Sequence, residues 1–237
     1  EQVDDMRASN PASNERLLAA AAEHLVQNHY SLKALMRTIL QSETWQRSSE
    51  PLPENSGDQR QYSRCFPRRM LAEVMLDAVS QVTDVPTEFK NIVYSGSDIK
   101  PTDAYPRGTR AIQLQDSAVQ SWFLQTFGRN QRRITCECER SDEPSMVQAL
   151  HLSNGDTLNG KLSAPENRLS KWLAANMTNE EIISEIYLSC LARQPSAAEQ
   201  AGLLAELQRA STPEERRATL EDVLWAVLSS REFLFNH

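Results

Sequence analysis

The sequence lacks features that mark several classes of protein. No uninterrupted apolar run approaches the roughly 18 residues that a membrane-spanning helix needs, so no span is expected. Basic residues are not in excess, because 25 Lys and Arg stand against 32 Asp and Glu and give a net charge of -7. Nucleic acids and anionic membranes bind basic faces, so neither partner is expected. Four cysteines are too few for a disulfide-built scaffold in 237 residues, and they leave the redox compartment open.

The start of the chain also lacks a recognisable leader. The sequence opens on Glu1 rather than Met, and its first residues do not show the charged-then-apolar pattern of a signal peptide. We therefore expect the N-terminus to be a cut within a longer polypeptide.

What the sequence does contain predicts a mainly α fold. Its 40% hydrophobic content can supply a core, and the chain is expected to form a single domain over residues 1–237. Apolar periodicity divides it into a helical part at 13–83, an irregular part at 84–141 and a helical part at 142–237. The helices should form a bundle-like domain around the long irregular middle, and the pattern allows one short strand pair.

Three helices are predicted in the first part. Ser13 and Ser31 are candidate N-caps of two helices that form a hairpin, with Trp45 as a following anchor. A third helix is predicted to begin near Pro67. The side chains expected to be buried are Leu18, Ala21, Ala22, Leu25 and Val26 in the first helix, Leu32, Leu35, Met36, Ile39 and Leu40 in the second, and Met70, Leu71, Val74, Met75, Ala78, Val79 and Val82 in the third.

In the irregular middle, residues 111–114 could form a strand, and residues 119–127 a brief helix that carries Trp122. Long irregular segments in compact domains are often functional, so a site is sought there first. The last part has helix starts at Thr178 with Glu181, Ser196 with Glu199, and Thr212 with Glu215, which are capping-box pairs. A further helix is predicted over about 142–152.

Several runs resemble a known family. They are Val3-Asp-Asp-Met-Arg-Ala-Ser-Asn-Pro, Phe66-Pro-Arg-Arg-Met-Leu-Ala-Glu-Val, Thr126-Phe-Gly-Arg, Cys136-Glu-Cys-Glu-Arg-Ser, Gln148-Ala-Leu-His-Leu and Glu232-Phe-Leu-Phe-Asn-His. Together they make the chain similar, over nearly its whole length, to the C-terminal domain of unknown function (DUF1553) of large planctomycete proteins that often carry a cytochrome c-like domain upstream. The final run resembles the natural carboxyl end of that family.

The resemblance implies an exported protein, with an extracytoplasmic or periplasmic location and upstream domains as partners. No Cys-x-x-Cys-His haem signature occurs in the chain, so any haem c would belong to an upstream domain. The family has no established catalytic residues to carry over. The sequence departs from the family where Cys65 replaces a usual aromatic or basic residue.

The most distinctive chemical cluster contains Cys136 and Cys138. Residues two apart face the same side of an extended segment, so their sulfurs could bind one metal ion together with His151 or Cys65. They could also form disulfides with each other or elsewhere, pack as thiols, or act in redox chemistry. The structural alternatives lead, and His151, beside Leu150 and Leu152, is more often a core residue than a ligand.

A second candidate site contains arginines. Arg129, Arg132 and Arg140 could line a pocket for an anionic or sugar ligand, since guanidinium groups make forked hydrogen bonds. The simpler alternative is that Arg140 and Glu143 are a solvated pair at the start of a helix. Trp122 is the tryptophan to test for stacking on carbohydrate.

Two functions follow. The first is a structural or domain-docking module of an exported, cytochrome c-associated protein, which fits the absence of signatures such as Gly-x-Ser-x-Gly or His-Glu-x-x-His. The alternative is part of an extracytoplasmic enzyme that acts on polysaccharide or its oxidised products, with a pocket near the Cys-x-Cys segment. No cofactor is assigned within the chain itself.

Overall fold

A computed structural model describes residues 7–58, 61–94, 96–115, 117–130 and 145–236. Helices dominate and the strands are only two residues long, so the prediction of a mainly α fold is confirmed. The chain divides into two compact units, an N-terminal unit that ends at Arg68 and a C-terminal unit from Arg69 to Asn236. The single-domain organisation stays a prediction.

The N-terminal unit contains α1 (Glu15–Gln27) and α2 (Leu32–Leu40). The helices of the C-terminal unit are α3 (Ala72–Thr83), α4 (Trp122–Thr126), α5 (Met146–Asn154), α6 (Asp156–Leu162), α7 (Arg168–Ala174), α8 (Asn179–Leu191), α9 (Ala197–Leu207), α10 (Pro213–Leu228) and α11 (Arg231–Leu234). Strand β1 (Arg68–Arg69) crosses the boundary between the units, and β2 (Asn91–Ile92), β3 (Lys100–Pro101) and β4 (Phe235–Asn236) follow.

Local caps define the two helices of the N-terminal unit. The side chain of Asn14 accepts from Leu17 N at 3.0 Å, so the first helix is capped one residue later than the predicted Ser13. Ser31 Oγ accepts from Ala34 N at 3.3 Å, which confirms the predicted cap of α2. The two helices pack against each other.

The predicted burial of this hairpin is wrong. No residue of α1 or α2 is fully buried, and Trp45 is 60% exposed. The helical period correctly gives each helix one apolar side, but two helices alone cover only the narrow seam between them. The large apolar side chains that were predicted to be buried and are exposed are Leu18 at 61%, Val26 at 55%, Leu32 at 61%, Met36 at 58%, Ile39 at 44% and Leu40 at 51%.

Helix α3 lies in the middle of the C-terminal core, where it packs against α4, α6, α7 and α8. It begins at Ala72 rather than near Pro67, because the residues before it are extended and Met70 N donates to Leu234 O at 2.9 Å. Its buried side includes Met75 and Leu76, each 0% exposed. Leu71 at 41% and Val74 at 39% face outward, so their predicted burial is wrong.

The predicted strand at residues 111–114 is instead a 3₁₀ turn, Ala111–Gln113. Asp77 of α3 produces it, because its two carboxylate oxygens accept from Ala111 N at 2.6 Å and Ile112 N at 3.1 Å. A strand pair does form nearby, where β2 and β3 pair antiparallel. The predicted brief helix is present as the shorter α4, capped by Ser121 Oγ.

The helices of the last part begin as their caps predict. Thr178, Ser196 and Thr212 form complete capping boxes with Glu181, Glu199 and Glu215. The helix predicted over 142–152 is α5, which begins at Met146 behind its N-cap Ser145. The core buries Ile182, Ile183, Ile186 and Tyr187 of α8 and Leu220, Val223, Leu224, Val227 and Leu228 of α10.

Candidate functional site

The side-chain amide of Gln148 is the centre of a buried polar cluster in the C-terminal unit. As the N3 residue of the α5 capping box, it accepts from Ser145 N at 3.3 Å. Its Nε2 donates to Thr126 O at 3.0 Å, which ties α5 to the end of α4. Arg69 donates to Gln148 Oε1 and, at 3.3 Å, to Phe127 O. The amide thus joins three chain segments that are far apart in sequence.

Arg129 lies in the same region as part of an ion pair. Its Nε is 3.9 Å from Oε1 of Glu73, and the two side chains are only 8% and 12% exposed. A buried guanidinium needs such a partner, because an uncompensated charge in the interior is strongly destabilising. The other residues predicted for an anion or sugar pocket, Arg132, Arg140 and Glu143, lie outside the described residues.

His151 is buried on the inner side of α5, at 9% exposure. Its ring meets those of Phe123 and Phe127 edge-on, with centroids 5.5 and 5.9 Å away. Nε2 is buried and has no hydrogen-bond partner in the part of the chain that the structure describes. Burial lowers the pKa of His151, against the opposing charge of Asp156. The ring is therefore held as a neutral, aromatic core residue at physiological pH.

Gly155 is required beside this histidine. Its N–H donates to His151 O at 2.9 Å, and a Cβ at this position would lie only 2.2 Å from the same oxygen. Any side chain here would push α5 away from α6. The sequence signal was a glycine between two helical segments, which marks close backbone approach.

Helix α5 is inverted relative to an ordinary surface helix. Its buried residues are polar, Gln148 at 8% and His151 at 9% exposure, whereas its outward side is apolar. Met146 is 75% exposed, Val147 52% and Leu150 56%. Positions i, i+1 and i+4 of a helix lie on one side, so these three form one continuous surface, the outer face of α5.

Trp122, the predicted carbohydrate contact, is 66% exposed at the start of α4. The next two residues, Phe123 and Leu124, are buried. Helix α4 packs against α5. The indole is thus presented at the surface rather than used in the core.

A cleft of about 620 Å³ lies at the carboxyl end of α3. Its lining includes Asp84, Val85, Arg107, Glu166, Ser170 and Lys171. Asp84 follows the helix in the left-handed conformation, with φ of 58°, which residues other than glycine, asparagine and aspartate rarely adopt. Lys171 forms an ion pair with it, and the hydrogen bond from this ammonium lowers the pKa of the Asp84 carboxyl.

Cations from α6 and α7 hold this end of α3. Arg168 Nη2 donates to Gln81 O at 2.7 Å, and Lys161 Nζ donates to Val85 O at 2.5 Å. Positive groups near helical carboxyl ends offset the helix dipole and satisfy the last carbonyls. Lys161 is only 6% exposed, and its burial lowers the pKa of the ammonium from 10.5 to about 8.

A third charged cluster joins α8, α9 and α11. Arg193 donates to both oxygens of Glu232, at 2.6 and 2.8 Å, and to both oxygens of Glu199, at 3.0 and 2.9 Å. These forked hydrogen bonds raise the pKa of Arg193 and lower that of Glu199. Arg193 also lies 5.2 Å from the Tyr187 ring centroid, so it anchors the helix ends rather than facing a ligand.

The cysteine prediction falls largely on residues that the structure does not describe. Cys136 and Cys138 lie outside the described residues, so their metal, disulfide and redox alternatives stay predictions. Cys65, in the N-terminal unit, and Cys190, in the C-terminal unit, are described as free thiols. Burial raises the pKa of Cys190 to about 12, which makes it an inert core thiol. Within the described ranges, no three His, Cys, Asp or Glu residues are grouped to hold a metal.

Sequence reasoning missed Glu73, Lys161 and Gly155, and it did not identify the partners of Arg193. Each depends on a neighbour that folding brings close, except for Gly155, whose position between helical segments was a visible sign. None of the helices in the described ranges is long and apolar enough to cross a membrane.

Comparison with known proteins gives one match. The family model PSD1, described as a protein of unknown function (DUF1553), matches residues 1–207. No curated protein matches the chain. No solved structure matches it either.

Proposed function

Since this chain belongs to the family of proteins of unknown function DUF1553, we propose that it is a structural, domain-docking module of an exported, cytochrome c-associated protein. The family assignment rests on the match over residues 1–207, and the exported, haem-associated setting is implied by the sequence resemblance described above. The structural observation that supports docking is the outer face of α5.

The outer face of α5 has the composition of a contact surface. Three large apolar side chains, Met146, Val147 and Leu150, are more than half exposed on one side of a nine-residue helix. Burying apolar area stabilises an association by about 25 cal/mol per Å², and contiguous apolar patches on soluble domains mark interaction sites. Trp122, on the helix that packs against α5, adds a further exposed apolar ring of the type enriched in interfaces.

The polar side of α5 supports the same conclusion. Gln148 and His151 face inward, where Gln148 is held by Thr126 and Arg69 and the His151 ring is held by Phe123 and Phe127. Turning the helix to hide its apolar side would expose these groups and break their contacts. The inverted orientation is therefore built into the fold, and the outer face stays available to a partner.

We take the partner to be another domain of the same polypeptide. Three side chains offer too little area for tight binding between separate proteins, which commonly needs about 800 Å² on each side. Domains on one chain meet at an effective concentration in the millimolar range, so a small apolar contact is enough to hold them together.

The experiment compares hydrogen exchange in the 237-residue chain and in the longest natural polypeptide that carries it. We expect amides of α5 to exchange about tenfold more slowly in the longer protein, because docking suppresses local opening. Peptides from α10, whose apolar side is already buried, serve as the internal control and should not change. Leu150→Lys in the longer protein should return α5 to the rate of the shorter chain.

Equal exchange of α5 in both proteins would count against docking at this face. The enzymatic alternative stays a hypothesis with a separate test, in which purified protein is titrated with oligosaccharides while Trp122 fluorescence is followed. The arrangement of Arg129 does not favour that alternative, because its guanidinium is already paired with the Glu73 carboxylate.

A further inference from the structure

Buried side chains hold the walls of the cleft at the carboxyl end of α3. One wall contains residues 84–86, and Lys161, at 6% exposure, donates to the backbone oxygen of Val85 at 2.5 Å. The other wall contains residues 164–166, in the turn between α6 and α7. Asn167, at 1% exposure, donates to the last carbonyls of α6 and accepts from a backbone N–H of α7 at 2.8 Å. The cleft is therefore formed before any ligand arrives.

The lining of the cleft combines small apolar residues with four charged side chains. Its volume of about 620 Å³ lies within the roughly 300–1,000 Å³ of small-ligand sites, which are mostly apolar and carry a few placed polar groups. The cleft thus suits a small ligand with an apolar body. The apolar lining residues are Val85, Pro86, Ala164, Pro165 and Ala174.

Two of the four charged side chains satisfy each other. Lys171 and Asp84 form the ion pair described above. Arg107 and Glu166 form no ion pair, either with each other or with any other residue that the structure describes. The cleft therefore presents one unpaired positive group and one unpaired negative group.

These two unpaired groups lie in separate turns. Arg107 lies in a turn that is closed by the N–H of Thr109, which donates to a backbone oxygen at 3.0 Å. Glu166 lies in the turn between α6 and α7. The hydrogen bond from Lys90 lowers the pKa of Glu88, and the charge of Arg107 adds to this effect without forming a pair. A ligand that reaches both turns needs opposite charges that are separated from each other.

We propose that the cleft binds a short peptide of small apolar residues whose two ends are free. The peptide carboxylate pairs with the Arg107 guanidinium, which suits carboxylates because it makes forked hydrogen bonds. The peptide ammonium pairs with the Glu166 carboxylate, and the peptide side chains contact the apolar lining. This inference does not rest on the proposed docking function, because it concerns a different surface.

The first test is an NMR titration of the whole isotope-labelled chain with trialanine. At the affinity usual for ligands of this size, the dissociation constant should be about 0.1–1 mM. N-acetyl-trialanine lacks the ammonium and trialanine amide lacks the carboxylate. Each should bind about two- to fivefold more weakly, which is the usual effect of one exposed ion pair.

Two substitutions identify which charge binds which end. Glu166→Gln should weaken the binding of trialanine and of its amide about two- to fivefold, and should leave N-acetyl-trialanine unchanged. Arg107→Gln should weaken trialanine and its N-acetyl form by the same factor and leave the amide unchanged. Glu180→Gln and Lys100→Gln remove exposed charges outside the lining, so as matched controls they should change nothing.

A third substitution tests the cleft without changing a charge. Ala174→Trp fills the cleft from the end of α7 and should weaken trialanine binding at least tenfold. Ala175→Trp, at the next residue and outside the lining, is the matched control and should leave binding unchanged. Both alanines are exposed, so the fold should persist in both variants, which circular dichroism checks.

Three outcomes would overturn the proposal. The first is the absence of any amide shift up to about 10 mM trialanine. The second is equal binding of trialanine and its two blocked forms to the wild-type chain, which would mean that neither charge is recognised. The third is equal weakening by Ala174→Trp and Ala175→Trp, which would place the peptide elsewhere on the protein.

Discussion

Lys161 offers the sharpest test of the energetics of the C-terminal unit. Its ammonium is buried at 6% exposure, and its one hydrogen bond in the described part of the chain goes to Val85 O, at 2.5 Å. Because burial disfavours the charged form, the pKa falls from 10.5 to about 8. Lys161→Met keeps a long side chain in the same space and removes the charge and the hydrogen bond.

The sign of the effect follows from proton linkage. The unfolded chain holds the Lys161 proton more tightly than the folded chain does, since the folded pKa of about 8 is below 10.5. The wild-type protein therefore gains stability as pH rises from about 8 to about 10.5 and loses it as pH falls through that window. At about 1.4 kcal/mol per pKa unit, the change is at most about 3 kcal/mol.

Near neutral pH the substitution should stabilise the protein. It removes a desolvation cost of up to about 3 kcal/mol and loses the hydrogen bond to Val85 O, which costs about 1–2 kcal/mol. The expected net gain is about 1–2 kcal/mol. As pH rises towards 10, the wild type recovers its stability, so the difference between the two proteins should shrink and then change sign.

The assay is urea unfolding of both proteins at steps from about pH 7 to about pH 10. Burial also raises the pKa of the Cys190 thiol from 9.0 to about 12. The unfolded chain therefore releases this proton at lower pH than the folded chain does, and both proteins lose stability as pH rises above about 9. Taking the difference between the two proteins removes that contribution. Lys171→Met, which removes an exposed ammonium from the cleft at the carboxyl end of α3, is the control. A difference between wild type and Lys161→Met that stays constant with pH would refute the reasoning.

Three further predictions concern local packing, each checked by urea unfolding. Gly155→Ala should destabilise the protein by about 2–4 kcal/mol, because its Cβ would lie 2.2 Å from a backbone oxygen. Gly202→Ala has open space around the new Cβ in α9 and should stabilise the protein by about 0.5–1 kcal/mol. Similar effects at both glycines would contradict the close contact at Gly155. Asp77→Ala should lower the free energy of unfolding by about 2 kcal/mol because two hydrogen bonds are lost, and Asp77→Asn should lower it by about half as much. No loss of stability in either variant would mean that the 3₁₀ turn forms without the carboxylate. Leu224→Ala, at 1% exposure, should cost about 2–5 kcal/mol; a loss under about 1 kcal/mol would show that the core collapses around it.

Helix starts could be predicted where the signal is local. Thr178, Ser196 and Thr212 each hold a backbone N–H within one turn, so their capping boxes form whatever surrounds them. The start of α3 could not be predicted in this way. Pro67 suits a first helical turn, but pairing with the carboxyl end of the chain, seen at Met70 N and Leu234 O, keeps the preceding residues extended.

Burial was harder to predict than helicity. The periodicity of α1 and α2 correctly identifies one apolar side on each, yet nothing in a periodic pattern states whether another element covers that side. The 3₁₀ turn at Ala111 shows the same limit for local conformation, because the Asp77 carboxylate that fixes it lies on a different helix.

The candidate site shows why pair partners escape sequence reasoning. Arg129 was identified from its residue type as a possible ligand contact, whereas Glu73, which pairs with it, lies in a helix on the far side of the irregular middle. Nothing in the sequence indicates that Lys161 is buried, because the burial of a lysine depends on the residues that the fold places around it.

The central position of α3 has a consequence for biosynthesis. This helix leaves the ribosome before α6, α7 and α8, which complete its buried side. Until Asn179 and the residues after it have emerged, Met75, Leu76 and Val79 have no finished core to enter. The nascent chain therefore carries an open apolar helix while the residues between α3 and α8 are made, and its C-terminal unit can fold only after its later helices have emerged. A chaperone that binds exposed apolar helices would find its target in α3 during that interval.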